Sequence, residues 1–178
     1  MEILEVMLYT NADDEYIRNV INYPIKGKEV LAKGYGVTPY DTDSAITQFK
    51  SVAEYWNNDT KTPLFHNVIS FTNDTASTVE RAMELTEKIL EPVLNEHLTL
   101  IGVHNKEHGS SELHVHEVYS PTNIYDGSMM HADNSTLYPL AQRVADVTGQ
   151  QCRLVVKPED KEKKEFHRVF FPHKNHKD

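Results

Sequence analysis

The segment from Leu98 to Asn123, LTLIGVHNKEHGSSELHVHEVYSPTN, restricts the possible folds of this chain more than any other. Two apolar runs, Leu98–Val103 and Leu113–Tyr119, flank a polar loop containing glycine and serine, which is the pattern of a β-hairpin. On the second strand His114 and His116 are two residues apart, so both side chains leave the same face of the sheet. His104 closes the first strand, and folding the hairpin returns it towards that pair. Three imidazoles converging from two rigid strands form a site open on one side, which suits a catalytic metal ion better than a sealed structural one. Spacing alone leaves open whether the pair holds a metal or is simply solvated or hydrogen-bonded, and it leaves the ligand list open too, because His108 and Glu107 in the loop are alternative donors.

A chain of 178 residues with 39% hydrophobic residues is expected to form one domain with a respectable core. It has no apolar run of the roughly 18 residues that a membrane span needs, so no membrane insertion is expected. The opening MEILEVMLYT lacks the basic-then-apolar pattern of a secretory signal. The single cysteine, Cys152, excludes an internal disulfide and reads as a small buried residue before a strand. Together these features predict a cytoplasmic protein. The net charge of −9 argues against a general nucleic-acid binder, since phosphate affinity comes mainly from Lys and Arg. The charge is uneven: residues 153–178 hold 8 basic and 5 acidic residues, against 10 and 22 in the rest. Any DNA-binding surface must therefore be local, helped by a metal ion or an accessory protein.

Along the chain, Ile3–Tyr9 reads as a first, central strand, and Asn11–Asp14 offers N-caps for a helix with Ile17, Val20 and Ile21 on one face. Pro24 should end that helix and leave Tyr23 at its exit. A short strand at Val30–Lys33 and a turn at Gly34–Gly36 follow, then a helix after Asp41–Ser44 with Ile46, Phe49, Ala53 and Trp56 on one stripe. Leu64–Phe71 alternates as a strand. Ser77 and Glu80 have the spacing of a capping box for a helix running to about Leu94. Beyond the hairpin, Ser135 or Thr136 would cap a helix that ends at Gly149, and Arg153–Lys157 would be the last strand. The order βαβαβαββαβ predicts an α+β fold, with helices packed against a mainly antiparallel central sheet. The domain would cover residues 1–157, leaving residues 158–178 as a charged, solvated tail.

These residues resemble the plasmid mobilisation relaxases, DNA-nicking endonucleases of the His-hydrophobic-His superfamily. His114-Val115-His116 is that motif, His104 matches the upstream histidine that completes the family's metal triad, and Asn123 falls where the family often has an asparagine. The strand FHNVISF, with His66, resembles the family's segment in which a histidine precedes a Ser-Phe pair, and Arg18–Tyr23 resembles the segment carrying its nucleophilic tyrosine. Two departures stand out. The loop between His104 and His114 is longer than in close relatives, and Asn105, Lys106 and Glu107 replace the aspartate usually found after the first histidine.

The resemblance implies a relaxase-like palm and a divalent metal ion, Mg²⁺ or Mn²⁺, on His104, His114 and His116. It also implies strand-specific nicking by Tyr23 at a transfer origin, leaving a 5′-phosphotyrosyl link for conjugative mobilisation. Tyrosine hydroxyls ordinarily ionise near about pH 10, so a nucleophilic one needs activation. Tyr16, one heptad earlier, is the runner-up nucleophile. His66 would orient a ligand or the scissile phosphate, Asn123 would bind DNA, and Tyr35, Tyr119 and Trp56 are candidates for stacking on unpaired bases, Trp56 reading better as core. The implied partners are single-stranded or locally melted origin DNA, an accessory DNA-binding protein and a coupling protein. Competing readings are a non-catalytic relaxase-like domain that binds single-stranded DNA or an accessory protein, a replication initiator of the same superfamily, and a metal-binding hydrolase in which the tyrosine is incidental.

Overall fold

A computed structural model describes residues 1–7, 13–26, 29–104, 113–157 and 167–173 of the chain. The elements are β1 (Glu2–Met7), α1 (Asp14–Ile25), β2 (Glu29–Tyr35), α2 (Thr42–Tyr55), β3 (Phe65–Phe71), α3 (Val79–Ile89), α4 (Glu91–Leu94), β4 (Thr99–His104), β5 (Leu113–Tyr119), α5 (Asn134–Thr148), β6 (Cys152–Lys157) and β7 (His167–Phe171). The strands form one open sheet in the order β2-β4-β5-β3-β1-β6-β7. Every neighbouring pair is antiparallel except β1 and β6, which run parallel. The expected α+β fold with a mainly antiparallel sheet is therefore the observed one. Among the described residues no helix is long and apolar enough to cross a membrane.

Helices cover the sheet from both sides, and each side has its own core. Ile17, Val20 and Ile21 of α1, backed by Ala45 and Phe49 of α2, pack on Leu100 of β4 and Val118 of β5. On the opposite face, Met83 and Leu85 of α3 and Ala141 and Val144 of α5 pack on Leu4, Ile69, Ile101, Val115 and Leu154. Burying one such aliphatic side chain stabilises the fold by about 1.5–3 kcal/mol, so these two layers hold the molecule together. β3, the expected strand, lies between them and is buried at every position. Its polar residues His66, Asn67 and Ser70 are buried because the strand is central and covered on both sides.

Several local expectations are corrected. α1 runs through Pro24 to Ile25, because the N–H of Lys26 bonds the carbonyl of Asn22 at 2.9 Å and carries the helix past the proline. Tyr23 thus sits in the last helical turn rather than beyond it. Gly34 and Tyr35 belong to β2, and the chain turns at Gly36. Thr78, not Ser77, caps α3 by accepting from the N–H of Arg81, and Asp133 caps α5 by accepting from Ser135. Gly149 ends α5 with a φ of 67°, as a left-handed cap requires. β7 falls inside the segment that composition assigns to a solvated tail. It pairs with β6 and turns Val169 and Phe171 onto the core, an alternation hidden by flanking charge.

One polar group is enclosed in the α3/α5 layer. Glu117 of β5 is fully buried opposite Asn67 of β3, whose amide donates to the Tyr119 hydroxyl at 2.9 Å. Burial pushes the Glu117 carboxyl from its ordinary 4.5 up to about 8, the neighbouring Asn67 opposing. Between those values the folded chain keeps a proton that the unfolded chain has lost, so stability falls as pH rises through the window. Glu117→Gln keeps the shape without the ionisation. Its urea midpoint should be flatter than the wild type's from about pH 5 to about pH 8; parallel curves would show that Glu117 ionises normally.

Candidate functional site

Strand register, rather than chemistry, brings the histidines onto one face. His104 of β4 is paired with His114 of β5, Gly102 with His116, and Ser70 of β3 with His114. His66 lies two same-face positions from Ser70 along β3, opposite Val118. Side chains paired across antiparallel strands leave the sheet on the same side, so His66, His104, His114 and His116 all face the α1 layer. The rings of His104 and His116 have centroids 4.3 Å apart, and those of His66 and His116 are 5.3 Å apart. His66 Nε2 is 3.0 Å from His116 Nδ1, and Ser70 Oγ is 3.1 Å from His114 Nδ1. His66 is fully buried. Burial, then the charges of His104 and Lys157, push its pKa from 6.5 down to about 4, so it is neutral at neutral pH.

Tyr23 completes the group from above. Its ring centroid is 5.0 Å from that of His66 and 5.7 Å from that of His116, nearly parallel to the latter at 17°. It is 50% exposed, with one part of the ring against the imidazoles and the rest open. The last turn of α1 delivers it, and that turn lies unusually close to the sheet. A Cβ built on Gly102 would stand 1.7 Å from the carbonyl oxygen of Pro24, so only glycine permits this approach. Tyr16 packs instead with the α1–α2 core.

The other singled-out residues lie elsewhere. Tyr35 points to the opposite face of β2, where its hydroxyl donates to Glu87, and burial, then that carboxylate, raises its pKa. Tyr119 is buried at the α3/α5 core, edge-on to Phe65, and so offers no face to a base. The Asn123 amide donates to Glu96 at 3.1 Å and accepts from the N–H of Tyr125 at 2.8 Å, which folds the loop after β5. Trp56 caps α2 and packs against Gly127, half-buried. Glu107 and His108 lie outside the described residues. Sequence reasoning missed Ser70 and Gly102 as contributors. Ser70 was legible in the register of FHNVISF against LHVHEVY; Gly102 carried no signal beyond being a glycine inside a strand.

Among the described residues no group of three His, Cys, Asp or Glu side chains is closed up as a metal site. What is observed is a shared face and register, with an Nδ1–partner contact in each of the two β5 rings. A family model described as "Relaxase: MobA/VirD2-like, nuclease domain" matches residues 16–153, from α1 to the start of β6. No curated protein matches the chain.

Gly102→Ala tests how the tyrosine is seated. The added methyl must push the α1 terminus outwards, at a cost of about 1–3 kcal/mol for an overpacked contact. A lower melting temperature should accompany loss of the Tyr23–His116 ring contact in the nuclear Overhauser spectrum. Wild-type values of both would show that α1 does not need the space.

Proposed function

The chain belongs to the MobA/VirD2-like relaxase nuclease family, a family of DNA-nicking domains acting in mobilisation, and from that premise we propose that Tyr23 is its nucleophile. The observation that carries the proposal is the stacking of the half-exposed Tyr23 ring on His66 and His116. Tyr23 Oη attacks the scissile phosphorus of one strand at a plasmid transfer origin. A phosphotyrosyl bond forms to the 5′ side, the bond to the 3′ oxygen breaks, and that oxygen leaves with a proton in place of the one lost by the tyrosine. One phosphate ester replaces another, so the reaction is reversible and the strand can be rejoined. Exposure of the ring on one side leaves room for the phosphate to approach.

The donor set fits a divalent ion. With His66 Nε2 accepting from His116 Nδ1 and Ser70 Oγ accepting from His114 Nδ1, the tautomers a cation would select, Nε2 is the nitrogen each β5 ring would present to it. With His104 these rings would hold Mg²⁺ or Mn²⁺, which would screen the charge of the scissile phosphate. In this arrangement His66 and Ser70 are positioning residues. The net charge of −9 supports a need for further help in holding DNA, and an accessory DNA-binding protein and a coupling protein would supply it. The substrate is single-stranded or locally melted origin DNA.

Tyr23→Phe should abolish the covalent protein–DNA adduct on oligonucleotides tiled across candidate origins, while DNA affinity stays within about twofold. An adduct persisting in that variant would overturn the assignment. DNA binding without any adduct in the wild type would leave a non-catalytic single-strand binder. In calorimetry with Mn²⁺, one-site binding by the wild type should be lost in both His114→Ala and His116→Ala. Unchanged affinity in both would remove the imidazole site.

A further inference from the structure

Two residues that the nicking reaction does not use stand on the same face as the imidazoles. Register carries one row of neighbours across six strands: His104, His114, Ser70, Ile3, Arg153 and Phe170. At about 4.8 Å per strand, Arg153 lies about 14 Å and Phe170 about 19 Å from His114 along that row. α1 packs over β2, β4 and β5, whereas α5 packs beneath β1, β6 and β7 on the other side. Among the described residues, no helix is packed on the imidazole side of those last three strands.

The two side chains there are unusual for a surface with nothing to bind. Phe170 is 50% exposed, while its neighbour Phe171 turns to the core and meets Tyr138 edge-on at 5.3 Å. Arg153 Nε is buried with no hydrogen-bond partner, and its guanidinium enters no ion pair among the described residues, in a chain with 27 acidic residues. Lys157, also on this face, is held by Glu5. A buried donor left without an acceptor is costly, and a guanidinium matches phosphate through paired N–H groups. An exposed ring takes a base of any sequence by stacking. Phe170 also lies beyond the residues that the family model matches.

We propose that β6 and β7 extend the DNA-binding surface: the strand leaving the Tyr23 site crosses the open sheet, Arg153 takes a phosphate, and Phe170 stacks on a base. This rests on the nicking reading, which brings a single strand to the imidazole end of this face. Continuity with the imidazole row and the uncompensated cation favour a nucleic acid over a peptide as occupant. The arrangement explains how an acidic protein grips DNA: the attraction is concentrated on one path instead of spread over the surface.

The test is fluorescence anisotropy with labelled (dT)20 at low salt, using the full chain, Phe170→Ala, Phe170→Leu and Arg153→Gln. Each variant is expected to bind about tenfold more weakly, with Tyr23 and the imidazoles untouched. Phe170→Leu keeps an apolar side chain without a π-face, so it decides the matter should Phe170→Ala melt early. In Phe170→Trp, saturating (dT)20 should quench the new indole, which a purely structural role would not produce. Wild-type binding with equal affinity in all variants would overturn the extension and leave the nicking reading standing. No binding of (dT)20 by the wild type would overturn both.

Discussion

The carbonyl of Pro24 rests against the backbone of Gly102, and the geometry of the site follows from that contact. Helices normally stand off a sheet by the thickness of side chains on both surfaces. Here one surface contributes no side chain at the point of closest approach, so the end of α1 drops onto β4 beside the imidazoles. Gly102 is paired with His116, which means that the space left by the missing Cβ and the ring that Tyr23 stacks on are neighbours by register. The tyrosine is thereby held by main chain and packing, and its own contacts are spared for a ligand. In the proposed role, a side chain positioned in this way would need no reorganisation when substrate arrives.

β3 performs the complementary task from the other side. It lies between β5 and β1, and its inward polar residues on the imidazole face, His66 and Ser70, each engage an Nδ1 of the β5 histidines. Being buried and neutral, His66 can hold His116 without adding a charge that would repel a cation. On the reverse face the same two strands enclose Glu117, Asn67 and Tyr119. The hairpin strand β5 is thus pinned through both faces, which fixes the rotation of its histidines more firmly than backbone hydrogen bonds alone would.

Much of this was readable beforehand, for identifiable reasons. The hairpin announced itself through two apolar runs about a polar loop, and the His-x-His spacing required one face whatever the rest of the fold. The buried stripe of α1 and the glycine stop of α5 follow local rules that tertiary packing did not override. Other features were hidden because they depend on partners distant in sequence. The continuation of α1 past Pro24 is closed by a bond from Lys26 to Asn22, and a proline at that place argues the opposite. The burial of Tyr119 and the inward turn of Tyr35 depend on which face of each strand meets α3, and composition does not reveal that. β7 was concealed because its alternation spans only five residues within a charged stretch. Gly102 is informative only once α1 is known to lie above it.

The strand order also governs when the proposed site can assemble. Tyr23 lies in the second element of the chain, His66 in the fifth and the remaining imidazoles in the eighth and ninth, yet all meet on three adjacent strands. β3 has no neighbour on the imidazole side until β5 has been made and paired. A chain still emerging from the ribosome, or any fragment that stops short of the hairpin, therefore carries Tyr23 and His66 without His104, His114 and His116. Under the proposed reading this is a safeguard built into topology: copies that lack the hairpin lack three of the four imidazoles, and the capacity to cut would appear only once β5 has paired with β3 and β4.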